Sequence, residues 1–586
     1  MRWEFRAIDE NAVQNLIREA GVSPLMARLL SARGIQSAEA AHQFLNPSIA
    51  QMHSPYRMAG MAAAVERICT AIERRERILV YGDYDVDGTT AIVVLKTAID
   101  LCGGAGLVEF HVPHRIREGY DLRADVLERA AAEGVRLVIS VDSGIRAFAA
   151  AEAARRAGID LIVTDHHLPE AAPGEVTHLP QALAVLNPNQ PGCDYPCKAL
   201  CGAGVAFKLA QALLEKNGRE RLLPSFMKVV AIATIADAVP LTGENRAIAA
   251  IGLDGLRDPR NLGLRELMKS ASIVGSRHLK SGDIAFRIAP RLNAAGRMDV
   301  ARDVVELFSV RDEVRAHELA TKLNQLNSDR QAEEQRIVGQ IEKQMAETAE
   351  ADRPFCLIIA GDGWHRGVLG IAATRVVERY CRPTLVASCD ESGQAHGSGR
   401  SIRGFHLLEA LESCRDLFTR FGGHAYAVGF SLPGANVEEL GRRLDAFART
   451  RLTAENFEPV LEVDAMLAMN DVNSKLMDEL RRLEPFGVGN PEPRFAVRGT
   501  RVLTPPRLLK EKHLKLKLAC EQQGNGHFVR GLDALGWRMG QRINEIVLGD
   551  AVDAAFTIEQ NTNPEFGGLQ LNLLDVQKAA TPGASY

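Results

Sequence analysis

The stretch Arg77–Val94, RILVYGDYDVDGTTAIVV, decides how the rest of the chain is read. Its apolar run Ile78–Tyr81 reads as a buried β-strand. It feeds into Asp83, Asp85 and Asp87, three carboxylates spaced two apart. Carboxylates crowded this closely resist ionising together unless positive charge sits among them. The stretch therefore asks for a cation at the end of a strand.

Three later stretches repeat the pattern. LVISVDSGI places Asp142 at the end of an apolar run, LIVTDHHLPE does the same for Asp165, His166 and His167, and VVAIATIADAVPL delivers Asp237. Between about residues 56 and 270, the strand-like runs Ile78–Tyr81, Val108–Val112, Leu137–Val141, Leu161–Thr164 and Ala182–Leu186 alternate with Ala/Leu-rich helical stretches. Such alternation predicts an α/β fold with a doubly wound parallel sheet covered by helices on both faces. Ligands of such sheets bind outside the carboxyl ends of the strands, so the acidic stretches should converge on one crevice. Oxygen ligands with one or two imidazoles suit Mn²⁺ or Mg²⁺. Two such ions about 3.5–4 Å apart can activate water and neutralise a phosphoryl group, which predicts phosphodiester or phosphoanhydride hydrolysis. One Asp after a strand is ordinarily a helix cap or turn residue. Four such sites at successive strand ends weigh against that reading.

The 586 residues exceed one hydrophobic core and predict three or four domains. We divide them into an N-terminal helical region (1–55), the metal-binding α/β domain (56–300), a helical connector (301–350), a second α/β domain (351–455), a C-terminal region of short alternating strands (456–578) and a tail (579–586). The connector has Leu319, Leu323, Leu326, Ile337, Ile341 and Met345 at helical spacings. The short strands fit a small barrel of the OB type or a sandwich. With 46% hydrophobic and 25% charged residues the composition is that of a globular protein. No apolar stretch of about 18 residues and no export signal is visible, which predicts a cytoplasmic protein without a membrane contact. Ten dispersed cysteines fit a reducing compartment. Cys193, Cys197 and Cys201 recur every four residues but lack an obvious fourth zinc ligand. The formal net charge of −4 means that any nucleic-acid surface must be a local patch.

The series GDYDVDG, VDSG, TDHH and IADAVPL resembles the motifs of the DHH phosphoesterase superfamily. VPHRIREGYDL, RIAPRLNAAGRM, GSGRSIRGFHLLEAL, FGGHAYAVGF and LEPFGVGNPEPRF follow in the order found in its bacterial RecJ family of single-strand-specific exonucleases. The resemblance runs from about residue 55 almost to the end. It implies a 5′ to 3′ exonuclease that degrades single-stranded DNA to mononucleotides in recombination and repair, with two divalent cations, Mn²⁺ or Mg²⁺. It assigns Asp85, Asp87, Asp142, His166 and Asp237 as metal ligands and places His167 near the scissile phosphate. Asp83 is either an outer ligand or a residue that orients one. It also implies a monomer that meets single-strand-binding protein and a RecQ-type helicase. Two rivals remain: relatives that hydrolyse pyrophosphate, cyclic dinucleotides or short RNAs, and replication scaffolds without catalysis. The barrel and connector favour a polymer, and the filled acidic positions disfavour a scaffold.

Other matched motifs concern the substrate. By resemblance, Arg115, Ser398 and Arg400 form the pocket for a terminal 5′-phosphate. Guanidinium groups and hydroxyls suit that task because they offer several directed donors. Arg287, Arg291, Asn293 and Arg297 either line a channel between the two α/β domains or cap helices. Gly423 and His424 read as a loop facing that channel. In RLLKEKHLKLKL, strand alternation puts His513, Lys515 and Lys517 on one face, a candidate single-strand platform. Because aromatics make up only 5% of the chain, backbone contact is expected there more than base stacking.

Overall fold

A computed structural model describes residues 1–170, 177–275, 278–299, 301–519, 531–561 and 567–579. The expected tail, Ala579 excepted, lies outside the described residues. The chain opens with β1 (Arg2–Phe5) and the helices Glu10–Ala20, Pro24–Ser31 and Ala38–Leu45, whose first turns are capped by Asp9, Ser23 and Ser37.

The first sheet contains β2 (Arg77–Gly82), β3 (Val108–His111), β4 (Val135–Val141), β5 (Asp160–Thr164) and β6 (Ala184–Leu186). All pairings are parallel, in the order β3-β2-β4-β5-β6. The expected strands are thus present, with the last shortened to three residues. Ile78, Val80, Tyr81, Leu137, Val138, Ile139, Ile162 and Val163 are buried, the continuous apolar content of strands covered on both faces. The order reverses between β2 and β4, so the topological switch point lies at their carboxyl ends. Asp83 follows β2 directly, Asp142 follows β4 and Asp165 follows β5. The topology by itself therefore brings the sequence-distant acids together.

The connector is the helix Glu313–Ala346, about 50 Å long at 1.5 Å per residue. Its second half packs Ile337, Ile341 and Met345 against Leu357, Trp364 and Val368 of the second α/β domain. That domain has β7 (Leu357–Asp362), β8 (Thr384–Cys389), β9 (Gln394–Arg400), β10 (Arg420–Gly423) and β11 (Ala427–Pro433), in the order β10-β11-β9-β8-β7. Only β7 and β8 run parallel.

The C-terminal region contains β12 (Val460–Val463), β13 (Ala465–Met466), β14 (Phe495–Val502), β15 (Arg507–Leu509), β16 (His513–Ala519), β17 (Leu532–Gly536), β18 (Ala551–Asn561) and β19 (Gly568–Lys578). The pairings β14–β18, β18–β19, β19–β17, β17–β16 and β16–β14 close a ring of five strands. This is an OB-type barrel and not a sandwich. Leu514, Leu516 and Leu518 of β16 are buried inside it, while His513, Lys515 and Lys517 are only partly covered.

The chain divides into two compact units, one of Met1–Met52, Pro240–Ala250 and Val460–Tyr586 and one of His53–Val239 and Ile251–Pro459. The N-terminal region is therefore not a separate domain. β1 pairs in parallel with β12, and Leu16, Met26 and Leu29 share a core with Leu480, Leu514 and Phe556. The short segment Pro240–Ala250, read in sequence as part of the metal-binding domain, supplies Arg246 to the barrel unit. This arginine is 2% exposed and donates to the carbonyls of Phe44 (2.7 Å), Leu483 (2.9 Å) and Glu484 (2.8 Å). The stretch EPFGVGNPEP thus lies inside the barrel unit and is held there by side-chain donors. Because buried carbonyls left unpaired cost about 1–3 kcal/mol each, Arg246→Ala should lower stability by roughly 3 kcal/mol or more. A urea melt with an unchanged midpoint would contradict this.

Candidate metal centre

The acidic groups are held by local structure that the sequence dictates. Asp85 caps the helix Val86–Ile99, its carboxylate accepting from the Gly88 amide at 3.0 Å. The ordinary capping role and the functional one therefore coexist in one residue. Asp87, in the first turn of that helix, accepts from the amides of Gly202 (2.5 Å) and Ala203 (2.7 Å), the positive end of the helix Gly202–Lys216. Asp142 sits in left-handed backbone at φ 58°. It lies so close to Gly202 that a Cβ there would meet its carboxylate Oδ1 at 2.5 Å. Asp237 ends the helix Leu223–Ala236.

Ligand atoms of Asp83, Asp85 and Asp142 lie within 4.8 Å of one another, as do those of Asp87, His166 and Asp237 and those of Asp142, His166 and His167. Asp142 and His166 each belong to two of these sets. His166 Nε2 stands 3.3 Å from Asp142 Oδ1 and 3.9 Å from both Asp87 Oδ2 and Asp237 Oδ2. Asp83 Oδ1 and Asp142 Oδ1 are buried without a hydrogen-bond partner. Burial, then the Asp85 charge, holds Asp83 well above the usual carboxylate range. Burial, then Asp87, does the same for Asp142. Burial raises Asp87. Burial, with Asp87 and Asp85, pushes Asp237 up to about 9. Two unit charges 4 Å apart repel by about 4 kcal/mol at an effective dielectric of 20. The donor set fits two hard divalent cations, one within reach of Asp83, Asp85 and Asp142, the other of Asp87, His166 and Asp237.

Asp165 has a different task. Fully buried, it accepts from the amides of Ile145 (3.0 Å), His166 (2.7 Å) and His167 (3.1 Å) and lies 2.8 Å from His167 Nδ1. It thereby orients both histidines. Burial lowers the affinity of His167 for its proton, but the Asp165 hydrogen bond and charge outweigh this and raise the imidazole to about 9. The Tyr120 hydroxyl is 3.1 Å from the same Nδ1 and 3.2 Å from the Asp142 carbonyl.

Carboxylates and His166 share a cavity of about 330 Å³ with Arg115, Asn293 and Arg297. The Arg115 guanidinium lies over the Tyr84 ring, 5.0 Å from its centroid. Arg400 Nη1 donates to Ser398 Oγ at 3.1 Å, and the Cβ position of Gly370, at the start of the helix Leu369–Tyr380, is 3.0 Å from Arg400 Nη2. Burial and then Arg115 lower Arg400, and burial followed by Arg115 lowers Arg297 to about 10. Guanidinium groups beside a helix N-terminus are donors of the kind that suit an anion.

Residues 77–234 match the DHH family N-terminal domain, 353–450 the DHHA1 domain and 463–575 the RecJ OB domain. The single-stranded-DNA-specific exonuclease RecJ of Bacillus subtilis (strain 168) is 38% identical over 94% of this chain and 68% of its own. Escherichia coli (strain K12) RecJ is 35% identical over 90% and 91%. The chain belongs to the RecJ family. A crystal structure of Thermus thermophilus RecJ in complex with Mn²⁺ superposes with a TM-score of 0.81 at 28% identity, covering 99% of this chain and 80% of that one.

The remaining candidates fall in several places. Gly423 and His424 line a second cavity of about 220 Å³ with Tyr120, Arg146 and His167. Arg287 and Arg291 are not in the walls of either cavity. Arg287 caps the helix Leu262–Ser270 through the carbonyls of Ala271 and Ser272, and Arg291 Nε donates to Asn324 at 3.0 Å. Lys515 is paired with Asp533 at 2.8 Å, while Lys517 is partly covered. Cys201 Sγ caps the helix Gly202–Lys216, and among the described residues no metal-ligand cluster contains Cys193, Cys197 or Cys201. Asp165, Tyr84 and Tyr120 lie within the sequence motifs but take no role from them; only the fold reveals what they touch. Gly202→Ala should displace Asp142 and weaken Mn²⁺ binding at least about ten-fold with the circular-dichroism spectrum retained; unaltered Mn²⁺ titration would contradict the packing described.

Proposed function

We propose that the protein is a metal-dependent single-stranded-DNA exonuclease that works from the 5′ end and releases mononucleotides. One observation carries the reading: a single cavity is lined by carboxylates, His166 and the guanidinium groups of Arg115 and Arg297. A phosphodiester is the group such a cavity accommodates, its anionic oxygens facing guanidinium donors and cations. Membership of a family whose curated relatives bear the name single-stranded-DNA-specific exonuclease supports it.

Asp83, Asp85, Asp87, Asp142, His166 and Asp237 would hold two divalent ions, Mn²⁺ or Mg²⁺. When bound, the ions supply Lewis acidity and a water of lowered pKa. Arg115, Ser398 and Arg400 seat the terminal 5′-phosphate, while Asn293 and Arg297 hold the strand beside the carboxylates. A water oxygen bonds to phosphorus as the bond from phosphorus to the 3′-oxygen of the terminal nucleotide breaks. His167, oriented by its hydrogen bond with Asp165, is the group placed to give a proton to that oxygen. The shortened strand then carries a new 5′-phosphate, so each product regenerates the group the pocket recognises. Gly423 and His424, in the cavity next to His167, contact the strand. No helix among the described residues is long and apolar enough to cross a membrane. On resemblance alone we assign it to the cytoplasm as a monomer, with single-strand-binding protein and a RecQ-type helicase as the partners that deliver gapped DNA.

Digestion of 5′-labelled and 3′-labelled oligonucleotides tests the reading. Immediate release of labelled mononucleotide from the 5′ end, a descending ladder from the 3′-labelled strand, and no products from blunt duplex or in EDTA are expected. Asp142→Ala and Asp237→Ala should each reduce turnover by at least about a hundred-fold. Arg400→Ala should erase most of the preference for a 5′-phosphate over a 5′-hydroxyl. Full activity of both aspartate variants would overturn the metal-dependent reading, and an undiminished preference would overturn the pocket assignment.

A further inference from the structure

Five successive residues after β7 are each tied down, although the stretch is only a turn leading into the helix Leu369–Tyr380. The connector helix supplies three of the ties from one face, through Glu333, Arg336 and Gln340, spaced so that they lie on one side of a helix. Arg336 donates to the Gly363 carbonyl at 3.0 Å, the Trp364 indole donates to Gln340 at 2.6 Å, and the His365 amide donates to Glu333 at 3.0 Å. Arg366 pairs with Asp390, in the turn between β8 and β9, at 2.6 Å. The Gly367 carbonyl accepts from Arg297 at 3.0 Å. Ordering a turn costs conformational entropy at every residue, so a framework this complete marks a side chain whose position matters.

That side chain is His365. Its Nδ1 accepts the Gly367 amide at 3.2 Å, which puts the proton of the neutral ring on Nε2. Burial lowers the proton affinity of the imidazole, Glu333 opposes this and the Arg115 charge adds to it, so the ring is neutral at neutral pH. Nε2–H has no hydrogen-bond or ion-pair partner among the described residues. A Cβ on Gly367 would stand 3.1 Å from His365 Nδ1 and 2.5 Å from the Arg297 carbonyl. Gly367 thus stands between His365 and Arg297, and Arg297 lines the metal cavity with Arg115. One turn further along, a Cβ on Gly370 would meet Arg400 Nη2 at 3.0 Å and Ser398 Oγ at 3.1 Å.

A free neutral donor among guanidinium groups suits an anion, because it adds a directed hydrogen bond without adding to their repulsion. A terminal phosphate monoester offers three acceptor oxygens, one more than a phosphate inside the strand. Guanidinium groups alone neutralise either kind, and one further directed donor favours the monoester. We propose that His365 is a specificity-determining residue of the 5′-phosphate pocket, its Nε2–H donating to an oxygen of the terminal phosphate. The inference rests on the exonuclease reading and on the pocket of Arg115, Ser398 and Arg400, to which it adds a residue. It also gives the connector helix a second task, that of holding the His365 turn in place.

The test compares oligothymidylates of one length that end in a 5′-phosphate or a 5′-hydroxyl, with binding to the full chain measured in EDTA and digestion measured with Mn²⁺. His365→Ala should weaken binding of the phosphorylated strand about ten-fold and leave that of the hydroxyl strand as it was, and the preference in kcat/KM should fall by the same factor. His365→Gln, which keeps an N–H donor near the place of Nε2, should restore most of the preference. An unchanged preference in His365→Ala would overturn the proposal. Equal losses on both strands, unrelieved by His365→Gln, would also overturn it, since the residue would then meet a phosphate inside the strand or serve the turn alone. A wild type that digests single strands without preferring a 5′-phosphate takes down the pocket and this proposal but leaves the exonuclease reading; one that digests none takes down all three.

Discussion

Electrostatic repulsion among buried carboxylates is the constraint on which the rest of this structure depends. Asp83, Asp87 and Asp142 are at most 5% exposed, and Asp85 and Asp237 complete a group that no water-filled cleft could screen. Such a group is tolerable only if a rigid frame holds it and cations neutralise it. The frame is visible. A parallel sheet delivers two of the acids at its switch point, two helix N-termini present amides to Asp85 and Asp87, and a glycine at 202 lets a helix approach Asp142 without collision.

Positive charge lines the same cavity through Arg115 and Arg297. Burial, and then the charge of Arg115, depresses both Arg297 and Arg400, and Arg400 donates to Ser398 and to the Gly399 carbonyl. The carboxylates call for cations and the guanidinium groups for an anion, and a metal-bound phosphodiester supplies both. The long helix Glu313–Ala346 packs against the second α/β domain through Ile337 and Ile341, so the side of the site built from β9 rests on a stiff support.

The fold was legible where one residue type at one spacing has one physical use. The apolar runs before Asp83, Asp142 and Asp165 could only be buried strands, and acids at their ends had to meet in a doubly wound sheet. The convergence of these acids followed from that, and strand alternation put the leucines of β16 on the face opposite His513, Lys515 and Lys517. What escaped depends on partners remote in sequence. Nothing in RWEF predicts a strand paired with Val460–Val463, and nothing around Arg246 shows that it belongs with Leu483 and Glu484. Arg287 takes the helix-end contact that the sequence left open beside the channel, whereas the Asn324 acceptor of Arg291 is set by packing.

The most direct measurement is the stoichiometry and spin coupling of bound Mn²⁺, read by titration with electron paramagnetic resonance. Two ions per chain with an exchange-coupled spectrum are expected if the carboxylates are gathered to hold a pair of ions about 4 Å apart, and Asp142→Ala, which removes a carboxylate of the Asp83–Asp85 set that lies 3.3 Å from His166 of the other set, should abolish the coupling. One isolated ion per chain, or none at millimolar Mn²⁺, would contradict the two-ion centre.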